Sequence, residues 1–276
     1  ASDGVNLATV LSEFTVDIRT IIENSRYTTL MLKTNEIDGA GNNTFVDGST
    51  NNFIITRNGN TTQGSFSPYG DRWSNYFDGN GDYLTISSNL NSNLGTSDFT
   101  LECWVYRTSI GNNIYSDEIV ACRPSSSFSI GHWHLSVTTT INGNVFFDAR
   151  TSTGDIDLQG GSVIENAWNH IAIVRSGNTF TGYLNGILFD THTSSNTIGA
   201  DDINISVGAF GDGSFPWNGY ISDLRIVKGT ALYTSNFTPP TEPLTAVAGT
   251  SLLTCQSNRF KDNSVNDFAI TPNGDV

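Results

Sequence analysis

The sequence predicts an all-β, two-sheet antiparallel sandwich preceded by a short N-terminal helical segment. From Tyr27 onward, short runs rich in Val, Ile, Thr, Tyr, Phe and Trp alternate with clusters of Gly, Asn, Asp and Ser, the punctuation of a sandwich rather than of βαβ units. The 276 residues are 37% hydrophobic and 11% aromatic but only 14% charged; large apolar side chains are thus available for a core, while Asn, Thr and Ser take the place of charge. Several runs also end in hairpin chemistry: Asn80-Gly81, Asn142-Gly143 and Asn185-Gly186 tolerate the positive φ that two-residue type I′ turns require.

Taken in order, residues 1–27 form an N-terminal docking or oligomerisation segment. Leu7, Val10, Leu11, Phe14, Ile18, Ile21 and Ile22 recur at spacings of three and four, which places one apolar stripe on a helix. A strand over 15–21 is the competing reading, and packing on its own domain competes with docking. Residues 28–276 are read as one domain, since β-sandwiches reach about 200–250 residues as one unit. Strands are expected over 28–34, 52–56, 75–77, 83–87, 99–107, 118–122, 128–137, 144–149, 169–175, 180–184, 203–207, 219–228, 250–255 and 267–271. In the run from Phe99, Leu101, Cys103 and Val105 share its face while Thr100, Glu102, Trp104 and Tyr106 share the other, because strand side chains alternate.

An internal repeat organises the ends. Asn43, Phe45, Asp47, Ser49, Asn51, Phe53, Ile55, Thr56, Asn58 and Gly59 recur, 215 positions later, as Asn258, Phe260, Asp262, Ser264, Asn266, Phe268, Ile270, Thr271, Asn273 and Gly274. Each copy follows a related apolar run, Thr28-Thr29-Leu30-Met31-Leu32 and Thr250-Ser251-Leu252-Leu253-Thr254. Solenoid repeats are contiguous, so the expectation is one strand-turn-strand unit used at each end to close the domain; the alternative is that the second copy opens a further domain.

Charge removes whole classes of function. With 13 Lys+Arg against 27 Asp+Glu the formal net charge is −14, which repels a phosphate backbone and argues against nucleic acid. No run approaches the roughly 18–20 apolar residues of a membrane span, so no membrane insertion is expected. Cys103, Cys122 and Cys255 are too scattered for a disulfide framework or a zinc site; they are read as buried small hydrophobes, with a Cys103–Cys122 bridge the alternative. No GxSxG elbow, HExxH or P-loop occurs, and Asp117-Glu118 would point to opposite faces of a strand.

The runs NYFDGNGDYLTI (75–86), DFTLECWVY (98–106), WNHIAIVRSGNTFTGYLN (168–185) and GYISDLRIV (219–227), with DGSTN at 47–51, resemble in order and spacing the laminin G-like branch of the concanavalin A-like lectin/glucanase superfamily. The tail VKGTALYTSNFTPPTEPLTA (227–246) departs from the usual family ending and resembles a version found in virion proteins of marine bacteriophages. The resemblance implies a jelly roll that binds glycans or proteins, with calcium in many members. Glucanases of this superfamily carry an E-x-D-x-x-E strand, absent here: Glu102 is followed by Trp104 and Arg107. The expectation is therefore that the chain is not an enzyme.

Two constellations are candidates for binding. Asp78, Asn80 and Asp82 place oxygens at positions 1, 3 and 5 of a short loop, a pattern that wraps calcium; Tyr83 and Asn89 break the EF-hand pattern, and the resemblance adds Asp223, on the last strand, as a further ligand. A hairpin turn whose Asp and Asn bond their own backbone is the plain alternative. His132 and His134 flank Trp133 and point one way on a strand; with Tyr115 and Trp217 they are candidates for a sugar platform. Trp104 and Trp168 are expected to fill the core. The functional reading is a virion structural or adhesion protein: a tail fibre, appendage or capsid decoration, assembled in the host cytoplasm and displayed on the virion surface. Its partners would be a host-surface glycan, other virion proteins and further copies of itself. A pure assembly protein and a polysaccharide-active enzyme are the alternatives.

Overall fold

The structure, a computed structural model, describes residues 66–70, 72–86, 93–109, 115–139, 143–200, 203–257, 260–274 and 276. The N-terminal helical segment, the strands at 28–34 and 52–56 and the first repeat copy lie outside the described residues. The described residues form two seven-stranded sheets. With strands numbered in chain order, the first sheet runs β1 (Asn75–Asp78), β12 (Asn218–Lys228), β3 (Phe99–Arg107), β8 (Trp168–Ser176), β9 (Thr179–Leu184) and β10 (Ile187–Thr193), and β13 (Thr250–Thr254) also pairs with β12. The second runs β14 (Ile270–Asn273), β2 (Tyr83–Ile86), β11 (Ile205–Val207), β4 (Ser116–Cys122), β5 (Trp133–Thr138), β6 (Asn144–Thr151) and β7 (Gly154–Ser162). The pairings are antiparallel, which gives the two-layer sandwich expected of alternating strands.

Alternation decides what fills it. Phe99, Leu101, Cys103 and Val105 of β3 face inward, fully buried with Leu135, Phe147, Ile171 and Ile221. Each such side chain contributes about 1.5–3 kcal/mol relative to exposure. Cys103 is a free thiol, so the Cys103–Cys122 bridge is not realised. At the end of the β3 row stands Arg107, buried, whose Nε donates to Asp117 Oδ2 of β4 at 3.1 Å. This buried ion pair ties one sheet to the other.

Trp104 and Trp168 correct the expectation of core indoles, for both lie on the outer face of the first sheet. Trp104 packs edge-on to His170 at 5.1 Å, and Trp168 stands 5.3 Å from Phe66 and 5.6 Å from Tyr106. The same face explains the unusual tail. Glu102 accepts from Arg225 Nε (2.9 Å), from His170 Nε2 (3.2 Å) and from the Tyr233 hydroxyl (2.8 Å). Tyr233 stacks on Phe237 at 3.7 Å and Arg225 Nη1 donates to Thr245 O, so residues 231–245 are strapped across the sheet. Burial pushes the Glu102 carboxyl up, but the His170 hydrogen bond and the Arg225 charge outweigh it and leave it below its ordinary range.

Most strands stand where the sequence places them, with instructive exceptions. The run 128–137 starts only at Trp133, because Phe128–His132 forms a loop. β7 and β10 were not expected: GDIDLQGGS has only Ile156 and Leu158 to mark alternation, and β10 is a largely exposed edge. Asn185 (φ 51°) and Gly186 (φ 77°) form the turn expected between β9 and β10. A Cβ on Gly186 would meet Phe237 O at 1.8 Å, so the tail also requires glycine there. At 80–81 the prediction fails in detail: Gly79 and Gly81, not Asn80, have positive φ.

Candidate functional site

The outer face of the second sheet gathers polar side chains that the sequence leaves far apart. His134 lies opposite Asp148, and Asp148 opposite Asp157, in the β5–β6–β7 ladders. On the other side of β5, Glu118 of β4 accepts from His134 Nδ1 at 2.8 Å and from the Ser116 hydroxyl at 2.7 Å. His134 Nε2 is 3.9 Å from Asp148 Oδ2. Burial pushes the Asp148 carboxyl up to about 7; His134 opposes that shift, while the charge and hydrogen bond of Asp157 add to it. Two neighbouring carboxyls that hydrogen-bond one another favour holding a proton.

An aromatic and cationic strip borders this row. Tyr115, 65% exposed, stacks on Phe215 at 6.5 Å, and Phe215 meets Phe210 at 5.3 Å. The Arg123 guanidinium lies between rings, 4.4 Å from the Phe210 centroid and 4.6 Å from that of Phe128. Arg150 covers Phe128 at 4.5 Å and binds Asp155 through Nε (3.0 Å) and Nη2 (2.8 Å). The loop 123–132 is folded by its own contacts: Arg123 Nε donates to Ser125 O and Ser127 O, and Ser129 N donates to His132 Nδ1 at 3.1 Å.

The structure leaves Tyr115 exposed, places His134 buried between Glu118 and Asp148 and His132 buried in the loop 123–132, and turns the two tryptophans inward. Trp133 and Trp217 are 0% exposed. Trp133 alternates with His134, so the histidine's outward position sends the indole inward against Phe147, and neither indole offers a stacking face. What sequence reasoning missed was Phe128, Phe210, Phe215, Arg123 and Arg150, since cation–π and ring contacts between loops and non-adjacent strands leave no local pattern. Of these, only Arg150 has a local mark in the sequence, the alternation Phe146, Asp148, Arg150 along β6.

The proposed calcium ligands do not converge. Asp82 Oδ2 accepts from Asp78 N at 3.0 Å and Asp78 Oδ1 from Asn80 N at 2.7 Å, which is the self-bonded hairpin turn. Asp78 pairs with Asn218 on β12, and Asp223 lies five residues further along, on the order of 16 Å at about 3.3 Å per residue. Its carboxylate accepts from Leu244 N, Gln256 Nε2 and the Ser222 hydroxyl, so it anchors the tail. Among the described residues, no group of three or more His, Cys, Asp or Glu is arranged to hold a metal ion.

Residues 78–233, more than half of the chain, match the family model of the Concanavalin A-like lectin/glucanases superfamily. The chain belongs to this superfamily. Among solved structures, this superfamily member is similar to a candidate carbohydrate binding protein from Bacteroides ovatus ATCC 8483, with 15% identity, a TM-score of 0.50 and coverage of 74% of this chain and 59% of that one. It is also similar to domain 4 of a Geobacillus stearothermophilus extracellular arabinanase in complex with arabinotriose, with 15% identity, a TM-score of 0.47 and coverage of 64% and 82%. A third likeness is to the CBM40 of a Ruminococcus gnavus sialidase bound to α2,3-sialyllactose, with 20% identity, a TM-score of 0.41 and coverage of 50% and 78%. At these identities the likeness is one of fold. No curated protein sequence matches the chain.

Proposed function

We propose that this chain is a non-catalytic, lectin-like module that docks a glycan along the outer face of its second sheet. The observation that carries this reading is the exposed Tyr115 ring, stacked on Phe215, at one end of an aromatic and cationic strip bordered by Asp148, Asp155 and Asp157. A sugar offers an apolar C–H face and a rim of hydroxyls, and such a strip meets both demands, ring against face and carboxylate against hydroxyl. The Bacteroides ovatus structure of the same fold, described as a carbohydrate binding protein, suits the reading without deciding it.

Geometry argues against hydrolysis at this face. A glycosidase holds two carboxylates about 5–9.5 Å apart with the scissile bond between them. Here Asp148 and Asp157 stand directly opposite each other in the β6–β7 ladder, and the gap between Glu118 and Asp148 is filled by the His134 imidazole. Display of the module on a virion surface, as an adhesion or decoration protein, rests on the resemblance of residues 227–246 alone.

The test is a glycan array probed in calcium and again in chelator, which also tests the metal expectation at Asp78, Asn80, Asp82 and Asp223. Selective binding abolished by Tyr115→Ala is expected; binding untouched by Tyr115→Ala would move the site elsewhere. No binding in either condition would overturn the lectin reading and favour an assembly protein.

A further inference from the structure

Phe215 breaks the ordinary backbone rules inside the aromatic strip. Its φ is +59°, in the left-handed region that glycine enters freely and a bulky side chain resists. Pro216 follows it, and the residue before a proline is pushed toward extended, negative φ. Of the six non-glycine residues at positive φ among the described residues, four are Asn or Asp and one is Cys255, and Phe215 has the largest side chain. Two positions earlier the same loop uses a glycine, Gly213, at φ +77°.

The neighbouring bonds hold the strain in place. Phe210 N donates to Ser214 O at 3.0 Å and Gly213 N to Phe210 O at 2.9 Å, which closes the turn. Beyond it, Trp217 is fully buried and its N donates to Gly208 O at 2.7 Å. Phe215 O itself accepts from Glu118 N at 2.9 Å. A strained residue persists where its surroundings over-determine it, and such residues cluster at functional sites.

Phe215 touches both halves of the candidate site. Its carbonyl fixes β4 where the ladder to β5 slips, between Glu118 and Val120, and Glu118 carries the carboxylate that meets His134 Nδ1. Its ring lies between Tyr115, at 6.5 Å with an interplanar angle of 26°, and Phe210, at 5.3 Å. Tyr115 O accepts from Thr139 N at 2.9 Å, which fixes the tyrosine backbone. Its exposed ring stacks on Phe215. Phe210 in turn stands 5.5 Å from the His134 ring. A glycine at 215 would serve the backbone and its carbonyl bond without strain, so the ring is what a phenylalanine adds.

We infer that Phe215 is a positioning residue of the glycan site, and that its strained backbone is retained because it aims the ring that holds Tyr115 for the sugar. The inference rests on the lectin-like reading of this face.

Variants of the full chain separate strain, ring and ligand. Glycine is ordinarily less stable than alanine because it frees the unfolded chain, but at positive φ the order reverses, so Phe215→Gly is expected to melt above Phe215→Ala. In the ligand-free protein, the NMR signals of the Tyr115 ring, identified by their loss in Tyr115→Ala, are expected to shift in Phe215→Gly and to return toward their wild-type positions in Phe215→Tyr. Binding of the strongest glycan from the array is expected to fall roughly tenfold in both Phe215→Gly and Phe215→Ala and to recover in Phe215→Tyr. Phe215→Ala melting above Phe215→Gly, or a Phe215→Gly protein that unfolds, would overturn the claim of strain. Unmoved Tyr115 signals would overturn the positioning role. A wild type that binds glycan, with Phe215→Gly binding as tightly, would sink the inference and leave the lectin reading standing, whereas a wild type that binds nothing on the array would remove both.

Discussion

Glu102 and Arg225 face each other across β3 and β12, the guanidinium donating to one carboxylate oxygen through Nε at 2.9 Å and Nη2 at 2.6 Å. Both are buried beneath the strapped tail. Removing one partner of such a pair strands a buried charge, and costs about 3–5 kcal/mol. Glu102→Leu is therefore expected to lower stability by that order, measured by urea unfolding, and to expose residues 231–245 to protease. A loss below about 1 kcal/mol would show that the strap does not depend on this pair.

The same carboxyl sets an acid dependence. Its folded-state pKa lies below the ordinary 4.5, so its contribution is present in full above that value and lost as pH falls through the folded-state value. Glu102→Gln, compared with wild type from pH 7 down to pH 3, should narrow the stability gap as acid is added. A constant gap would refute the assignment.

Asp148 should behave oppositely. Its folded-state value of about 7 lies above the ordinary 3.8, so its contribution is full below about pH 3.8 and lost as pH rises through 7. The groups facing it are His134, Asp155 and Asp157. Asp148→Asn is expected to raise the Tm at pH 8 relative to wild type and to change it little at pH 4; equal shifts at both would contradict the proton-holding pair.

Trp133 and Tyr115 separate stability from binding. Trp133, buried in the core, should cost about 3–5 kcal/mol when cut to Ala. Tyr115, largely exposed, should leave stability within about 0.5 kcal/mol while weakening glycan binding by roughly tenfold or more, about 1.4 kcal/mol. Calorimetric unfolding and glycan titration of the two variants check this, and a destabilised Tyr115→Ala would count against a ligand-facing ring.

Arg107 and Asp117 join the sheets within the core. Arg107→Met leaves the Asp117 charge without its guanidinium and is expected to cost about 3–5 kcal/mol, whereas the double variant Arg107→Met, Asp117→Leu should recover most of that loss. Failure of the double variant to recover would mean that the arginine contributes by shape rather than charge.

Much of the fold was legible because strand alternation is local. The β3 run from Phe99 to Arg107 and the turn at Asn185-Gly186 stand as the sequence predicts, each set by residues that touch in sequence. The site was legible in part: of the residues the sequence offers for a sugar platform, Tyr115 is exposed while His132 and His134 are buried among their own hydrogen-bond partners. Trp133 and Trp217 turn inward, because a large ring goes to whichever side of its strand is dry, and composition does not say which side that is. The resemblance offers Asp223 as a calcium ligand, and in the structure its carboxylate accepts from Leu244 N and Gln256 Nε2.

By itself the sequence determined the β class, the turn at Asn185-Gly186, the acidic character and the internal repeat, since each depends on residue identity and short-range spacing. Only the tertiary structure decided that Glu102 buries a charge under the tail, that His134 stands between Glu118 and Asp148, and that Arg123 lies between Phe128 and Phe210. Those relationships join strands and loops distant along the chain, and packing sets them through a register that no local pattern encodes.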